Sequence, residues 1–290
     1  MSHTVQIDLL PIDHLEQLYP QVLAVLPEDR RRRIGQLARP GDRLRSAAGS
    51  LLIACACRGR TVSRGPYGKP FCNGICFNIS HSGRAAVLAR AEAGIGIDIE
   101  APRALPDTLA ERILSPEELV WYHAGNVEIL LSEIRTGESG EALLPGVQAD
   151  EADEVYSFDV QAGKPHGIYS SDVHGDVLPD RTQGEPAPAP AAHTDADEKA
   201  RRLRFLWTRK EALSKCLGTG FHTPGFPEML PALPGADGTV LFQGQTYSLE
   251  SFEWEEHMIS AALSGASVQL HLRVRRPEEL LAELTAAGSA

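Results

Sequence analysis

Hydrophobic and polar positions along the chain sort into periodic segments separated by turn chemistry. Between Pro27 and Arg60, Leu44, Ala47, Ala48, Leu51 and Leu52 recur at the intervals that share one helical face, so the region reads as helical, opened by Pro27 and Glu28. Gly65-Pro66-Tyr67-Gly68-Lys69-Pro70 is turn-forming. Phe77-Asn78-Ile79-Ser80 and Ala85-Ala86-Val87-Leu88-Ala89 predict short buried strands. Gly96-Ile97-Asp98-Ile99-Glu100 alternates with period two, turning Ile97 and Ile99 to one face and both carboxylates to the other. Ser115-Pro116-Glu117-Glu118 has the spacing of a capping box with proline at the first helical position, which predicts a helix running toward His123.

Beyond about Gly125 the pattern decays. The stretch from Gly137 to Ala200 is acidic and rich in Gly, Ala and Pro, ending in Glu185-Pro186-Ala187-Pro188-Ala189-Pro190, and predicts a mobile insertion over about 126–200. Within it, Val155 to Val160 and Val173 to Leu178 fit a small hairpin. Order is expected to resume at Arg201, with a helix through Trp207 to Leu217 stopped by Gly218 and Gly220. Alternating runs near Tyr247 to Phe252, Met258 to Leu263 and Val268 to Val274 predict strands, and a closing helix follows Pro277.

With 290 residues, 42% of them hydrophobic, the chain can bury a sizeable core. Met1 to Leu10 has neither a basic leader nor a long apolar core, and Leu51 to Cys57 is too short to span a bilayer, so a cytoplasmic protein without a membrane partner is expected. Five cysteines, Cys55, Cys57, Cys72, Cys76 and Cys216, are an odd number and argue for reduced thiols. The net charge of -11 is local: residues 131–200 hold 15 acids and 4 bases, so the rest sums to zero. Residues 1–70 hold 11 bases against 6 acids, many in Arg30, Arg31, Arg32 and Arg33. That patch suits one phosphorylated small molecule better than a nucleic-acid duplex, and no nucleic-acid partner is expected.

Three features carry candidate chemistry. Asp98 and Glu100 on one strand face, with Glu211 from a distant helix, supply three hard oxygen donors of the kind magnesium takes, although paired acids also suit a solvated strand edge. Glu211 and Lys215 stand four apart on a helix, where a surface ion pair is the plain alternative. Phe77-Asn78-Ile79-Ser80-His81-Ser82-Gly83 ends a strand in hydroxyl, imidazole and backbone donors suited to phosphate, or to satisfying its own turn. A serine hydrolase is rejected because no G-x-S-x-G elbow occurs, and zinc at Cys72, Cys76 and His81 lacks a second ligand cluster.

In order along the chain, Gly68-Lys69-Pro70, the Phe77 to Gly83 block, the Gly96 to Glu100 block, Leu114-Ser115-Pro116-Glu117-Glu118 and Trp207-Thr208-Arg209-Lys210-Glu211-Ala212-Leu213-Ser214-Lys215-Cys216-Leu217-Gly218-Thr219-Gly220 resemble the signature blocks of the Sfp-type 4′-phosphopantetheinyl transferase family. The resemblance covers most of the chain except the acidic insertion and, more weakly, the C-terminal quarter. It implies an α+β fold of two similar subdomains related by a pseudo-twofold, here residues 1–105 and 106–290, with coenzyme A in the cleft between them. The implied activity is transfer of the phosphopantetheine arm of coenzyme A to a serine of an apo acyl or peptidyl carrier protein, releasing 3′,5′-ADP, by a monomer.

By the same resemblance Asp98, Glu100 and Glu211 bind Mg2+. Arg32, Arg45, Lys69, Ser80, His81 and Lys215 contact coenzyme A, and Glu211, Lys215 and His81 are the catalytic residues, with Glu211 as general base. Leu114 stands where the family favours an aromatic residue, and Phe221 where it favours Leu. Glu100 and Glu211 are also 111 positions apart, far beyond the family's usual connection. Gly163-Lys164-Pro165 repeats one motif without the block that should follow. The rival readings are a catalytically idle relative that acts as a binding or scaffold protein, and a magnesium-dependent coenzyme A pyrophosphatase.

Overall fold

The computed structural model describes residues 3–13, 15–65, 68–103, 105–124, 129, 131, 135–136, 141–143, 194–220, 226–233, 238–265 and 268–287; the expected hairpin at 155–160 and 173–178, the repeat at 163–165 and residue 221 lie outside them. In chain order these residues form β1 (His3–Pro11), α1 (Leu15–Val25), α2 (Glu28–Gly35), α3 (Pro40–Cys57), β2 (Val62–Arg64), β3 (Pro70–Cys72), β4 (Cys76–Ser82), β5 (Ala85–Ala91) and β6 (Ile95–Glu100). Then follow α4 (Asp107–Ile113), α5 (Pro116–His123), β7 (Arg135–Thr136), β8 (Glu141–Leu143), α6 (Asp195–Leu217), α7 (Phe226–Met229), β9 (Thr239–Phe242), β10 (Gln245–Trp254), β11 (His257–Ser264), β12 (Val268–Val274) and α8 (Pro277–Ala287). The fold is α+β. No helix among the described residues is long and apolar enough to cross a membrane.

Two sheets dominate, one in the order β4-β5-β1-β12-β8-β7 and one in the order β6-β11-β10-β9, beside the β2-β3 pair. Period-two alternation decides the layering. Val5, Ile7 and Leu9 of β1, Ile95, Ile97 and Ile99 of β6, and Ile259 of β11 share one core with Leu270 and Leu272 of β12. The alternate residues of the larger sheet, such as Leu10, Ala86 and Leu88, bury against α1, α3 and α8. On the smaller sheet, Leu249 and Ala262 bury against Ala212 and Leu213 of α6. Each fully buried Leu or Ile contributes about 1.5 to 3 kcal/mol, so a helix coating the outer face of each sheet is strongly selected.

Neither large sheet respects the division at residue 105. β12 runs parallel to β1, pairing Ile7 with Leu272, while β6 joins β11 antiparallel, pairing Asp98 with Ser260. The structure corrects three expectations. The helical region from Pro27 is broken between α2 and α3, because a proline at position 40 disfavours helical geometry in the residue before it and Arg39 is extended, with φ -93° and ψ 136°. The helix expected from Arg201 begins at Asp195, where Thr194 makes a capping box with Asp197 that stabilises an otherwise acidic first turn. Part of the expected mobile insertion is sheet: β8 pairs antiparallel with β12, with Ala142 opposite Leu272, and β7 pairs with β8.

Gly96 fixes how closely α6 lies on β6. A Cβ at this position would stand 1.9 Å from the Ala212 carbonyl oxygen and 2.4 Å from the Cys216 backbone nitrogen, both backbone atoms that cannot rotate away. Gly96→Ala is therefore expected to lift α6 and destabilise the protein by about 3 kcal/mol, the upper range for overpacking. Denaturant unfolding measures it, and a change below about 0.5 kcal/mol, the scatter of neutral surface changes, would show that the helix rides freely on the strand.

Candidate active site

β4 is an edge strand of the larger sheet and β6 an edge strand of the smaller one, and the two edges meet through side chains. Every second residue of β4 reaches across. Asn78 Oδ1 accepts from the Ile97 backbone N–H at 3.0 Å, Ser80 Oγ donates to Asp98 Oδ1 at 2.7 Å, and Ser82 Oγ donates to Glu100 Oε2 at 3.0 Å while accepting from Ala101 N–H at 3.1 Å. Polar side chains thus satisfy a seam that a hydrophobic edge would leave open to aggregation. α6 covers the seam from the side of Gly96 and brings Trp207, Glu211 and Lys215 over it.

Lys215 is the centre of this arrangement. Its Nζ donates to Asp98 Oδ1 at 2.5 Å and Ser80 Oγ at 3.1 Å, and stands 3.9 Å from Glu211 Oε2. Burial opposes the charged ammonium, but Asp98, Glu211 and Glu100 outweigh it, and the pKa of Lys215 is raised. Glu100 accepts from Trp207 Nε1 at 3.2 Å and Arg103 Nη2 at 3.3 Å; desolvation and Asp98 nevertheless push its carboxyl above the ordinary range. Glu211 is pushed further, to about 7, by desolvation and by Asp98 and Glu100 against the opposing pull of Lys215.

Lys215 stands among these acids, and no three His, Cys, Asp or Glu side chains among the described residues are grouped so as to hold a metal ion as they stand. The chemistry of the donors fits a hard dication all the same. Asp98 Oδ2 is buried without a hydrogen-bond partner, and three carboxylates face Lys215 and Arg103, an excess of one negative charge that a cation with oxygen ligands would relieve.

The raised carboxyl of Glu211 has a pH consequence. Its value of about 7 lies above the 4.3 or so of an unfolded glutamate, so the stabilisation it brings is full in acid and is lost as pH rises through neutrality. The protein is expected to melt at a lower temperature at pH 8 than at pH 5.5. Calorimetry of the wild type beside Glu211→Gln checks this: equal pH slopes in the two proteins would remove Glu211 as the titrating group.

On the other face of β4 lies a basic flank. A Cβ placed on Gly49 of α3 would stand 3.7 Å from the ring of His81, an exposed residue. Desolvation by its surroundings lowers the His81 pKa, and the nearby charges of Lys215, Arg45 and Arg30 act in the same direction. Arg45 reaches back from α3 to the Gly83 carbonyl at 3.1 Å and pairs with Asp42. Lys69 donates to the Lys215 carbonyl at 2.5 Å, setting a positive charge at the C-terminal end of α6; burial lowers its pKa.

Arg32 is not brought to this flank. It is exposed, two residues from Arg30 and so nearly opposite it around α2, whereas Arg30 donates to Ser50 Oγ at 2.7 Å and Ser46 Oγ at 2.9 Å on α3. The signal for Arg30 was present in the sequence: it precedes Ile34, the buried residue of α2, by four positions and shares its face. Ser82 and Asn78 were equally legible as period-two neighbours of Ser80. The buried pair Lys210–Glu118, 2.7 Å apart, was not, since it joins α5 to α6 across the least readable part of the chain. No protein-family model matches the chain, and no curated protein matches it.

Proposed function

We propose that this chain is a magnesium-dependent, Sfp-type 4′-phosphopantetheinyl transferase, a cytoplasmic monomer that moves the arm of coenzyme A onto a serine of an apo acyl or peptidyl carrier protein. The observation that carries the reading is the seam. Blocks as far apart as 111 positions bring Asp98, Glu100, Glu211 and Lys215 to one place, with His81, Arg45 and Arg30 beside them. On this reading the halves are similar subdomains related by a pseudo-twofold. Helix α3 with hairpin β4-β5 corresponds to α6 with β10-β11, and each half sends its last strand, β6 or β12, into the other sheet.

In this proposal Asp98, Glu100 and Glu211 hold magnesium, which when bound supplies Lewis-acid neutralisation of pyrophosphate charge. Glu211 takes the proton of the carrier serine, a task for which a carboxyl titrating near neutrality is suited. The serine oxygen forms a bond to the phosphorus attached to the pantetheine arm as the bond from that phosphorus to the bridging oxygen breaks, and 3′,5′-ADP leaves with the electron pair. Lys215 meets the charge that develops on the leaving phosphate. Lys69 and Ser80 border the pyrophosphate, and His81, Arg45 and Arg30 face the 3′-phosphate.

Intact mass spectrometry of an apo carrier protein incubated with this chain and coenzyme A, with and without Mg2+, tests the reading. A gain of one phosphopantetheine that requires Mg2+ is expected. Free phosphopantetheine with an unmodified carrier would identify a pyrophosphatase instead. Neither product, from folded protein and carriers of several assembly types, would identify a binding relative.

A further inference from the structure

We propose that a second ligand site, for a phosphate dianion, lies in the arginine-lined groove where α3 and α8 leave the outer face of the larger sheet uncovered. The groove is independent of the carboxylate seam and of the activity proposed for it. The period-two alternation that buries Val5, Ile7 and Leu9 of β1 on the inner face turns Gln6 and Asp8 outward. A cavity of about 390 Å³ opens there, and Arg58, Arg90, Arg273 and Arg275 converge on it with only Asp8 and Glu283 as acids.

The pairing within the cavity leaves charge over. Asp8 serves three guanidinium groups, Arg273 at 2.8 Å, Arg90 at 3.0 Å and Arg275 at 3.4 Å, while Glu283 takes Arg58 at 2.6 Å and Arg275, and Glu279 stands 3.7 Å from Arg275. Four guanidinium groups against the three carboxylates of Asp8, Glu283 and Glu279 leave the groove net positive in a protein whose net charge is -11. A network built for stability alone gains nothing by crowding unneutralised guanidinium groups, because their mutual repulsion is strongest where water is partly excluded. Arg90 lines the cavity, and its Nε is buried without a hydrogen-bond partner, so its side chain is not fully satisfied by the protein. Arg58, whose side chain is 59% exposed, can turn to a ligand at little cost.

The net positive charge attracts a phosphate anion, and planar guanidinium forks match its oxygens. A neighbouring hollow of about 690 Å³ shares Gln6 and Arg90 with the cavity and is lined by Thr4, Asn73, Ile75, Ala91 and one acid, Glu92, which gives room for the polar, uncharged body of a phosphomonoester.

Isothermal titration of the full chain with inorganic phosphate is expected to show saturable binding with a Kd of about 1 mM or tighter. Arg58→Gln and Arg90→Gln should each weaken it by about tenfold, the effect of losing one charge-assisted contact. Arg58→Gln removes only an exposed ion pair and keeps the test interpretable if Arg90→Gln fails to fold. Titration with glycerol phosphate separates the two sources of the dianion: tighter binding than inorganic phosphate assigns the groove to a phosphomonoester, and equal binding to free phosphate. Absence of saturable phosphate binding, or an affinity unchanged in Arg58→Gln but lost in His81→Ala, would overturn the site.

Discussion

Glu211→Gln is expected to reduce carrier modification by at least about 10³-fold, because in the proposed function one substitution removes both a proton acceptor and a metal ligand; loss of a general base alone is worth about 10² to 10⁴. The side chain keeps its size, so packing beneath α6 is preserved. Far-UV spectra should be unchanged, and the metal-free variant should be at least as stable as the wild type at pH 8, since a buried carboxyl raised to about 7 is replaced by a neutral amide. Mg2+ should no longer raise its melting temperature. Transfer within tenfold of wild type would show that the serine proton leaves by another route and that Asp98 and Glu100 suffice for the metal.

Local chemistry made much of the fold legible, and long-range pairing did not. The capping box at Ser115, the alternation from Gly96 to Glu100, and the left-handed Gly218 that ends α6 appear where their residues require them, because each depends on neighbours a few positions away. β1 also alternates strictly from Val5 to Leu9, yet its parallel partner β12 lies some 265 positions on, and nothing local announces that pairing. α1 contains Pro20, a residue that reads as a break; the helix persists because Leu15 and Val22 bury against the same core as α3 and α8. Thr194 with Asp197 was a readable cap, hidden by the acidic composition around it.

For the site, the sequence supplied the residues and the spacing of β4 and β6 supplied the pairings. Ser80 and Asp98 are strand residues of matching phase, which makes their hydrogen bond a consequence of period-two geometry once the two edges abut. What no spacing shows is that Lys215 occupies the space among the carboxylates. Its bond to Asp98 depends on the depth at which α6 sits, and that depth is set by the missing side chain of Gly96.

The position of Lys215 leads to an expected result that separates two jobs. Lys215→Ala removes the charge that stands 2.5 Å from Asp98 and 3.9 Å from Glu211, so these two acids lose their counter-ion while Glu100 keeps Arg103. The metal-free variant should be destabilised, and Mg2+ should bind at least as tightly as in the wild type and raise the melting temperature by more, since it no longer displaces an ammonium. Transfer should nevertheless fall by about 10²- to 10³-fold, the loss that follows removal of one preorganised charge from a developing oxyanion. An ordinary helical ion pair would contribute only about 0.3 to 0.5 kcal/mol and leave the rate nearly intact. Calorimetric titration with Mg2+ beside carrier-modification rates makes the distinction. Tight metal binding with slow transfer places Lys215 on the leaving phosphate, whereas weakened metal binding would mean that it organises the carboxylates and that the charge on the leaving group is met from the basic flank of His81 and Arg45.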